Sequence, residues 1–159
     1  MKVGLIADTH DNLDYLDKAV NIFHSQGVSV IVHAGDYVAP FVFRILDRFE
    51  GKFYGVFGNN DGEILGLLSK SGQRIVQPPL RIELDGKKVL VVHDPVFVDE
   101  IAANQSVDII VHGHTHEKRV DKIGKTLIVN PGECGGWLGG KATAAILETG
   151  DLSVEIVNL

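Results

Sequence analysis

Five short apolar runs recur along the first 111 residues of the chain, and they leave few folds open to it. The runs are rich in β-branched and aromatic residues and comprise residues 3–7, 28–32, 53–57, 89–92 and 109–111. Each has the length of a buried strand, and its nearly continuous apolar character suits a sheet that is covered on both faces. The pattern predicts five core strands.

Segments with helical periodicity lie between these runs. Residues 13–27 carry apolar side chains at spacings of three and four and end on Gly27, as expected for an amphipathic helix. Residues 40–50 show the same pattern, and residues 61–69 and 98–105 are shorter candidates. Strands that alternate with helices predict βαβ units.

The pattern changes after residue 116, where short apolar segments are joined by polar or Gly-rich turns. These segments are residues 118–123, 126–129, 143–147 and 153–157. Residues 80–84 and 88–92 form a further predicted hairpin. The chain is therefore expected to be an α/β protein with two packed mixed β-sheets flanked by helices. Its length of 159 residues argues for one domain over residues 1–159.

Charge and cysteine content limit the partners and the compartment. The chain carries 21 acidic and 15 basic residues, a formal charge of −6, and its basic residues do not cluster. This disfavours an obligate nucleic-acid partner. Cys134 is the single cysteine, and the first apolar run is too short for a signal peptide or a membrane span. We expect a cytoplasmic protein with no membrane partner, and leave homo-oligomer formation open.

A polar cluster follows each of the five apolar runs. The clusters are Asp8-Thr9-His10, His33-Ala34-Gly35-Asp36, Gly58-Asn59-Asn60-Asp61, His93-Asp94 and His112-Gly113-His114-Thr115-His116, and they offer carboxylates, imidazoles and an Asn carbonyl as candidate ligands. Ligands in open α/β sheets bind at the carboxyl ends of the strands, so the clusters are expected to converge on one edge. Residues two apart, such as Asp8 and His10, are expected to project to the same side of an extended chain. This donor set favours manganese, iron, cobalt, nickel or zinc.

These motifs and their order resemble those of the calcineurin-like metallophosphoesterase superfamily. The pattern D-x-H, GD, GN-(H/N/C)-(D/E), H and GH-x-H spans residues 8–116, and residues 130–133 extend the likeness, most closely to short single-domain phosphodiesterases of bacteria and archaea. The resemblance implies a four-layer sandwich that binds two divalent transition-metal ions, manganese being the first expectation. Asp8, His10 and His116 would hold one ion, Asn59, His93 and His114 the other, and Asp36 would bridge them.

The implied activity is hydrolysis of a small phosphodiester by a hydroxide that bridges the two ions. Asn60 stands where the larger family often has a His that protonates the leaving group, and an amide cannot act as a general acid. We therefore expect a preference for diesters or activated aryl esters, with Asn60 and Asp61 as catalytic candidates and Asn60 also near the substrate. Asp61 is expected to orient a neighbouring group. Asp94, where relatives often have Gly, is expected on the substrate side of the cleft.

Other interpretations remain at several positions. A non-catalytic protein-interaction scaffold, as in the retromer subunit of the same fold, and a phosphomonoesterase are the alternative functions. His24 and His33 are expected to be structural, and His112 either supports the metal site or faces the core. Residues 130–132 form either a turn or part of the cleft wall. Cys134 is expected to be a small filler, and Trp137 either anchors a loop or stacks on a substrate ring.

Overall fold

The computed structural model of the chain describes all 159 residues. Its first sheet has six strands, which are, in spatial order, β11 (Ser153–Asn158), β10 (Thr143–Glu148), β1 (Lys2–Ile6), β2 (Val30–His33), β3 (Lys52–Val56) and β4 (Ile75–Val76). The four strands from β1 to β4 run parallel to one another. Strand β10 is antiparallel to both of its neighbours, β1 and β11.

The second sheet has five strands and is also mixed. In spatial order these are β5 (Leu80–Leu84), β6 (Lys87–Val91), β7 (Ile109–Val111), β9 (Thr126–Asn130) and β8 (Arg119–Ile123). The central strands β6, β7 and β9 are parallel, and the two edge strands are antiparallel to their neighbours. The expected hairpin of β5 and β6 is present, and all five apolar runs form strands.

The helices are α1 (Leu13–Ser25), α2 (Phe43–Leu46), α3 (Ile64–Ser71) and α4 (Val98–Ala103). Alternate strand residues pack in different layers: Leu5 and Val91 lie in the cluster between the sheets, whereas Ile6 packs with the buried faces of α1 to α3. On the other side, Leu90 packs against α4. The expected sandwich of two sheets with flanking helices is thus confirmed. None of the helices combines the length and the apolar character needed to cross a bilayer.

One local prediction was wrong, and one short strand was missed. The expected helix over residues 40–50 is a 3-10 turn, Pro40–Val42, that leads into the four-residue helix α2. After α2 the backbone hydrogen bonds become those of a tighter 3-10 turn, from Arg48 to Ile45 and from Phe49 to Leu46, because the chain must turn back within a few residues to enter β3. Strand β4 was not predicted, since two residues are too few to show a periodic pattern.

Candidate metal centre

The loops that follow β1, β2, β3, β6 and β7 meet at one end of the molecule. They belong to two sheets rather than one, so the predicted convergence occurs across the inter-sheet layer. Four of the predicted ligands form a first group, Asp8, His10, Asp36 and His116, whose ligand atoms all lie within 4.8 Å of one another. His10 Nε2 lies 3.6 Å from Asp36 Oδ2, and His116 Nε2 lies 3.8 Å from Asp8 Oδ1.

The other three predicted ligands form a second group beside the first. Asn59 Oδ1 lies 2.8 Å from His93 Nε2 and 2.9 Å from His114 Nδ1. His93 Nε2 is also 3.5 Å from Asp36 Oδ2. Asp36 therefore faces both groups, and the structure brings all seven predicted ligands together.

The hydrogen-bond pattern of the second group calls for a positive charge. His93 Nδ1 donates to the carbonyl oxygen of Ala34 at 2.8 Å, so in the neutral ring Nε2 carries a lone pair. That lone pair faces the oxygen atoms of Asn59 and Asp36, and a proton or a cation between them would relieve the repulsion. Burial lowers the pKa of His93, but contact with the Asp36 carboxylate outweighs it and leaves the pKa raised. A proton and a metal ion therefore compete for this position.

The first group also contains a ligand atom that lacks a partner. His10 Nε2 is buried and has no hydrogen-bond partner, which is rare for a polar atom in a protein interior. Burial also lowers the pKa of His10, which favours the neutral imidazole that binds metals. Ligand atoms bound about 2.1 Å from one ion lie about 3–3.5 Å apart, close to the separations in both groups. The residues present therefore fit divalent metal ions.

A left-handed backbone conformation, and not an extended one, brings the paired predicted ligands together. Asp8, His10, Asp36, His114 and His116 all have φ between 44° and 71°, a left-handed conformation that is uncommon for residues other than Gly. The expectation that Asp8 and His10 project from an extended segment was wrong, since β1 ends at Ile6. Backbone strain of this kind concentrates at functional sites and persists only when surrounding contacts hold it in place.

Three glycines allow the loops to approach so closely. A Cβ atom on Gly58 would overlap the side chain and backbone nitrogen of Asp36, and one on Gly35 would lie 2.6 Å from His93 Nδ1. A Cβ atom on Gly113 would lie 2.9 Å from Asp8 Oδ2. Real Cβ atoms essentially never lie this close to a neighbour, so a side chain at any of the three positions would force the surrounding atoms to move.

The two acidic candidates differ in their electrostatics. Burial raises the pKa of Asp8 to about 6, although the imidazoles of His93 and His116 act against the rise. Burial also disfavours charge on Asp36, but contact with His93 and hydrogen bonds from Asn60 outweigh it, so the pKa of Asp36 lies below its usual range. Asp36 therefore remains a carboxylate at neutral pH.

Asn60 and Asp61 support the site from its third loop. Asn60 donates to both carboxylate oxygens of Asp36, through its backbone nitrogen and through Nδ2, each at 2.8 Å. The buried Asp61 carboxylate accepts hydrogen bonds from the backbone nitrogens of Asp36, Tyr37, Val38 and Gly58. Asp61 thus ties the loop after β2 to the loop after β3, whereas Asn60 lies directly against the carboxylate of Asp36.

The other histidines have separate roles. His33 Nδ1 accepts from the backbone nitrogen of Gly35 and Nε2 lies 2.6 Å from Thr9 Oγ1, while the ring stacks on Tyr37. His33 is therefore structural, as expected, and His24 is an exposed residue of α1. The ring of His112 is buried with Nδ1 near the carbonyl oxygen of Gly113, and no contact joins it to either ligand group.

Residues 130–133 hold the loop that carries His114 and His116. Asn130 is fully buried, and its Nδ2 donates to the carbonyl oxygen of Gly113 and to Thr115 Oγ1. Glu133 Oε1 lies 3.3 Å from His116 Nδ1, and its carboxylate also accepts from the backbone nitrogens of the next loop. No role was assigned to Glu133 from the sequence. An acidic residue after Asn-Pro-Gly at the end of a strand could have indicated a contact with the site.

Cys134 is buried, and burial raises its pKa to about 12, as suits a filler.

Comparisons with known proteins identify the family of this chain. Residues 1–152 match the calcineurin-like phosphoesterase superfamily domain. Phosphodiesterase MJ0936 from Methanocaldococcus jannaschii is 34% identical over 155 residues, which cover 94% of this chain and 93% of that protein. The solved structure of an archaeal phosphodiesterase superimposes with a TM-score of 0.91 at 32% identity and covers 100% of both chains. Vps29 from Entamoeba histolytica shares the fold, with a TM-score of 0.70 at 17% identity, covering 100% of this chain and 98% of its own. The chain therefore belongs to the calcineurin-like phosphoesterase superfamily.

Proposed function

We propose that residues 1–159 act as one domain, a phosphodiesterase that binds two divalent transition-metal ions and hydrolyses small phosphodiesters. One observation supports the two-ion site above all others. Asp36 Oδ2 lies 3.6 Å from His10 Nε2 on one side and 3.5 Å from His93 Nε2 on the other. A carboxylate in this position suits a ligand shared between two ions.

In this proposal each ion has its own set of side chains. Asp8, His10 and His116 hold the first ion, and Asn59, His93 and His114 hold the second, with Asp36 shared. Imidazole nitrogens together with carboxylate and amide oxygens suit manganese, nickel, iron, cobalt or zinc, and manganese is our first choice among them. The one thiol of the chain, Cys134, is buried and unsuited to ligation because its pKa is about 12.

When bound, two divalent ions neutralise phosphate charge and activate water as a nucleophile. The chain's own residues hold this arrangement in place. Asn60 fixes both oxygens of Asp36, and Asp61 fixes the two loops behind it. Because the Asn60 amide donates to Asp36 and has no proton to give to a leaving group, we propose that diesters and activated aryl esters are the preferred substrates.

Metal content and the variant Asp36→Asn test the shared carboxylate. Wild-type protein purified without chelator is expected to contain two equivalents of metal by elemental analysis. Asp36→Asn keeps the size of the side chain but removes its charge, so turnover is expected to fall by more than about 100-fold with loss of bound metal. Asp14→Asn, at an exposed position in α1, is the matched control and is expected to keep both the turnover and the bound metal. Full activity in Asp36→Asn would contradict the two-ion site.

Substrate preference is tested on one leaving group. The metal-loaded protein is assayed with 4-nitrophenyl phosphate and with bis(4-nitrophenyl) phosphate, and we expect a higher kcat/KM for the diester. If 4-nitrophenyl phosphate were hydrolysed with a kcat/KM at least equal to that of the diester, a phosphomonoesterase would instead be favoured. A protein that holds no metal and turns over neither compound would favour the non-catalytic scaffold, for which Val96 and Phe97 offer exposed apolar side chains near His93.

A further inference from the structure

The loop after Glu133 carries two large apolar side chains at the edge of the ligand groups. Trp137 is 64% exposed and Leu138 is 78% exposed, in a stretch that is otherwise rich in glycine. Trp137 Nε1 donates to the carbonyl oxygen of His10 at 3.2 Å. The same residue, His10, therefore offers its ring to the first ligand group and its backbone to the indole.

Several contacts fix this loop against the ligand-bearing segments. The backbone nitrogens of Trp137, Leu138 and Gly139 donate to the carboxylate of Glu133, which also lies beside His116. The backbone nitrogen of Gly135 donates to the carbonyl oxygen of Asp8. The position of the indole is thus tied to Asp8, His10 and His116, all in the first group.

Anchoring alone does not account for an indole at this position. The hydrogen bond to His10 uses only the N–H edge, and most of the ring surface faces water. An exposed, positioned aromatic ring is suited to stacking on another ring, an interaction that stabilises aromatic pairs beyond their buried area. The neighbouring Leu138 extends the apolar surface.

We propose that Trp137 determines substrate specificity by stacking on a planar aromatic group, a nucleobase or an aryl ring, of the phosphodiester. This inference rests on the proposed function, because the phosphate bound at the metal centre places the aromatic group beside the indole. Trp137 contacts the organic part of the substrate and takes no part in the chemical step.

Intrinsic fluorescence tests the proposal directly, since Trp137 is the single tryptophan of the chain. Metal-loaded wild-type protein is titrated with adenosine 5′-monophosphate and with ribose 5-phosphate, which share the phosphate and the sugar. We expect the nucleotide to quench the emission and ribose 5-phosphate to leave it nearly unchanged. By calorimetry, the nucleotide is expected to bind about tenfold more tightly, as base stacking on an aromatic side chain predicts. Equal binding without quenching would overturn the proposal.

Three variants separate stacking from a merely structural role. The relevant quantity is the Kd of ribose 5-phosphate divided by the Kd of adenosine 5′-monophosphate. In Trp137→Ala this ratio is expected to fall to about one, whereas Trp137→Phe retains most of the preference for the nucleotide. Phe41→Ala removes another exposed aromatic side chain, from a groove lined by Phe43, Arg44, Asp47 and Lys70, and is expected to leave the ratio unchanged. A ratio that persists in Trp137→Ala, with circular dichroism like that of the wild type, would also overturn the proposal.

The design separates this inference from the proposed function. If the metal-loaded protein hydrolyses diesters but binds both compounds equally, the stacking role alone fails. If it hydrolyses no diester yet the nucleotide quenches Trp137 and binds more tightly, the stacking site stands and the proposed activity fails.

Discussion

At the scale of single residues, His33 shows how burial decides the behaviour of a titratable group in this protein. Burial lowers its pKa to about 3, and its two ring nitrogens contact Thr9 and Gly35. The folded protein therefore holds His33 neutral, whereas the unfolded chain gains a proton on this side chain below about pH 6.5. This difference stabilises the fold above pH 6.5, and the stabilisation is lost as the pH falls from there toward 3.

We expect the free energy of unfolding of metal-free wild-type protein to lose roughly 2 kcal/mol between pH 7.5 and pH 5 through His33. Urea denaturation of His33→Gln should show lower stability at pH 7.5, because the ring contacts are gone, but a drop with pH that is smaller by about this amount. His24→Gln, at an exposed position, is the control and should follow the wild type. An unchanged pH dependence in His33→Gln would show that other groups account for the acid sensitivity.

At the scale of elements, the loops after the strands place the predicted ligands, and glycines in these loops allow the close approach. Gly58 approaches Asp36 so closely that a side chain at that position would displace the carboxylate. Gly62 lies in the same connection before α3, but a Cβ atom there would have no neighbour within 4 Å. The two positions therefore form a matched pair.

Gly58→Ala is expected to lower the free energy of unfolding by about 1–3 kcal/mol, as overpacking does, and to lower kcat/KM by at least about tenfold because Asp36 is displaced. Gly62→Ala should retain the wild-type free energy of unfolding and kcat/KM. Thermal denaturation and an assay with bis(4-nitrophenyl) phosphate measure the two effects. Equal activity of the two variants would mean that the loop adjusts without moving Asp36.

At the scale of the whole molecule, the metal centre joins loops from both sheets, so metal binding is coupled to folding. At an ion concentration 100 times the Kd, one site that forms only in the folded state adds about 2.7 kcal/mol. Chelation is therefore expected to lower the Tm at pH 7.5, as measured by calorimetry. The imidazole ligands must be neutral to bind, so the effect of chelation should shrink below about pH 6.5. A Tm that is insensitive to chelator at pH 7.5 would argue against a site spanning the two sheets.

Much of the fold was predictable from local patterns. All five apolar runs form strands, and helix α1 has its predicted start because Asn12 accepts a hydrogen bond from the backbone of Tyr15. The prediction for residues 40–50 was wrong, since apolar spacing alone does not reveal that the chain must turn back to enter β3. The sequence also indicated which side chains would lie together at the predicted metal site, because strand ends carry polar residues that no core requires.

The amino-acid sequence by itself determined the strands, the helix α1 and the seven side chains that meet at one end of the molecule, since hydrophobic periodicity and residue chemistry act locally. Only the tertiary structure decided that loops from both sheets supply these side chains. It also decided that a left-handed backbone at Asp8 and His114 orients them. The contacts of Glu133 with His116 and with the backbone of Trp137 were likewise a tertiary feature. The physical reason is that these features depend on contacts between residues far apart in the chain, such as Cys134 with Ala7 and His114 with Asp8. No local pattern encodes such contacts.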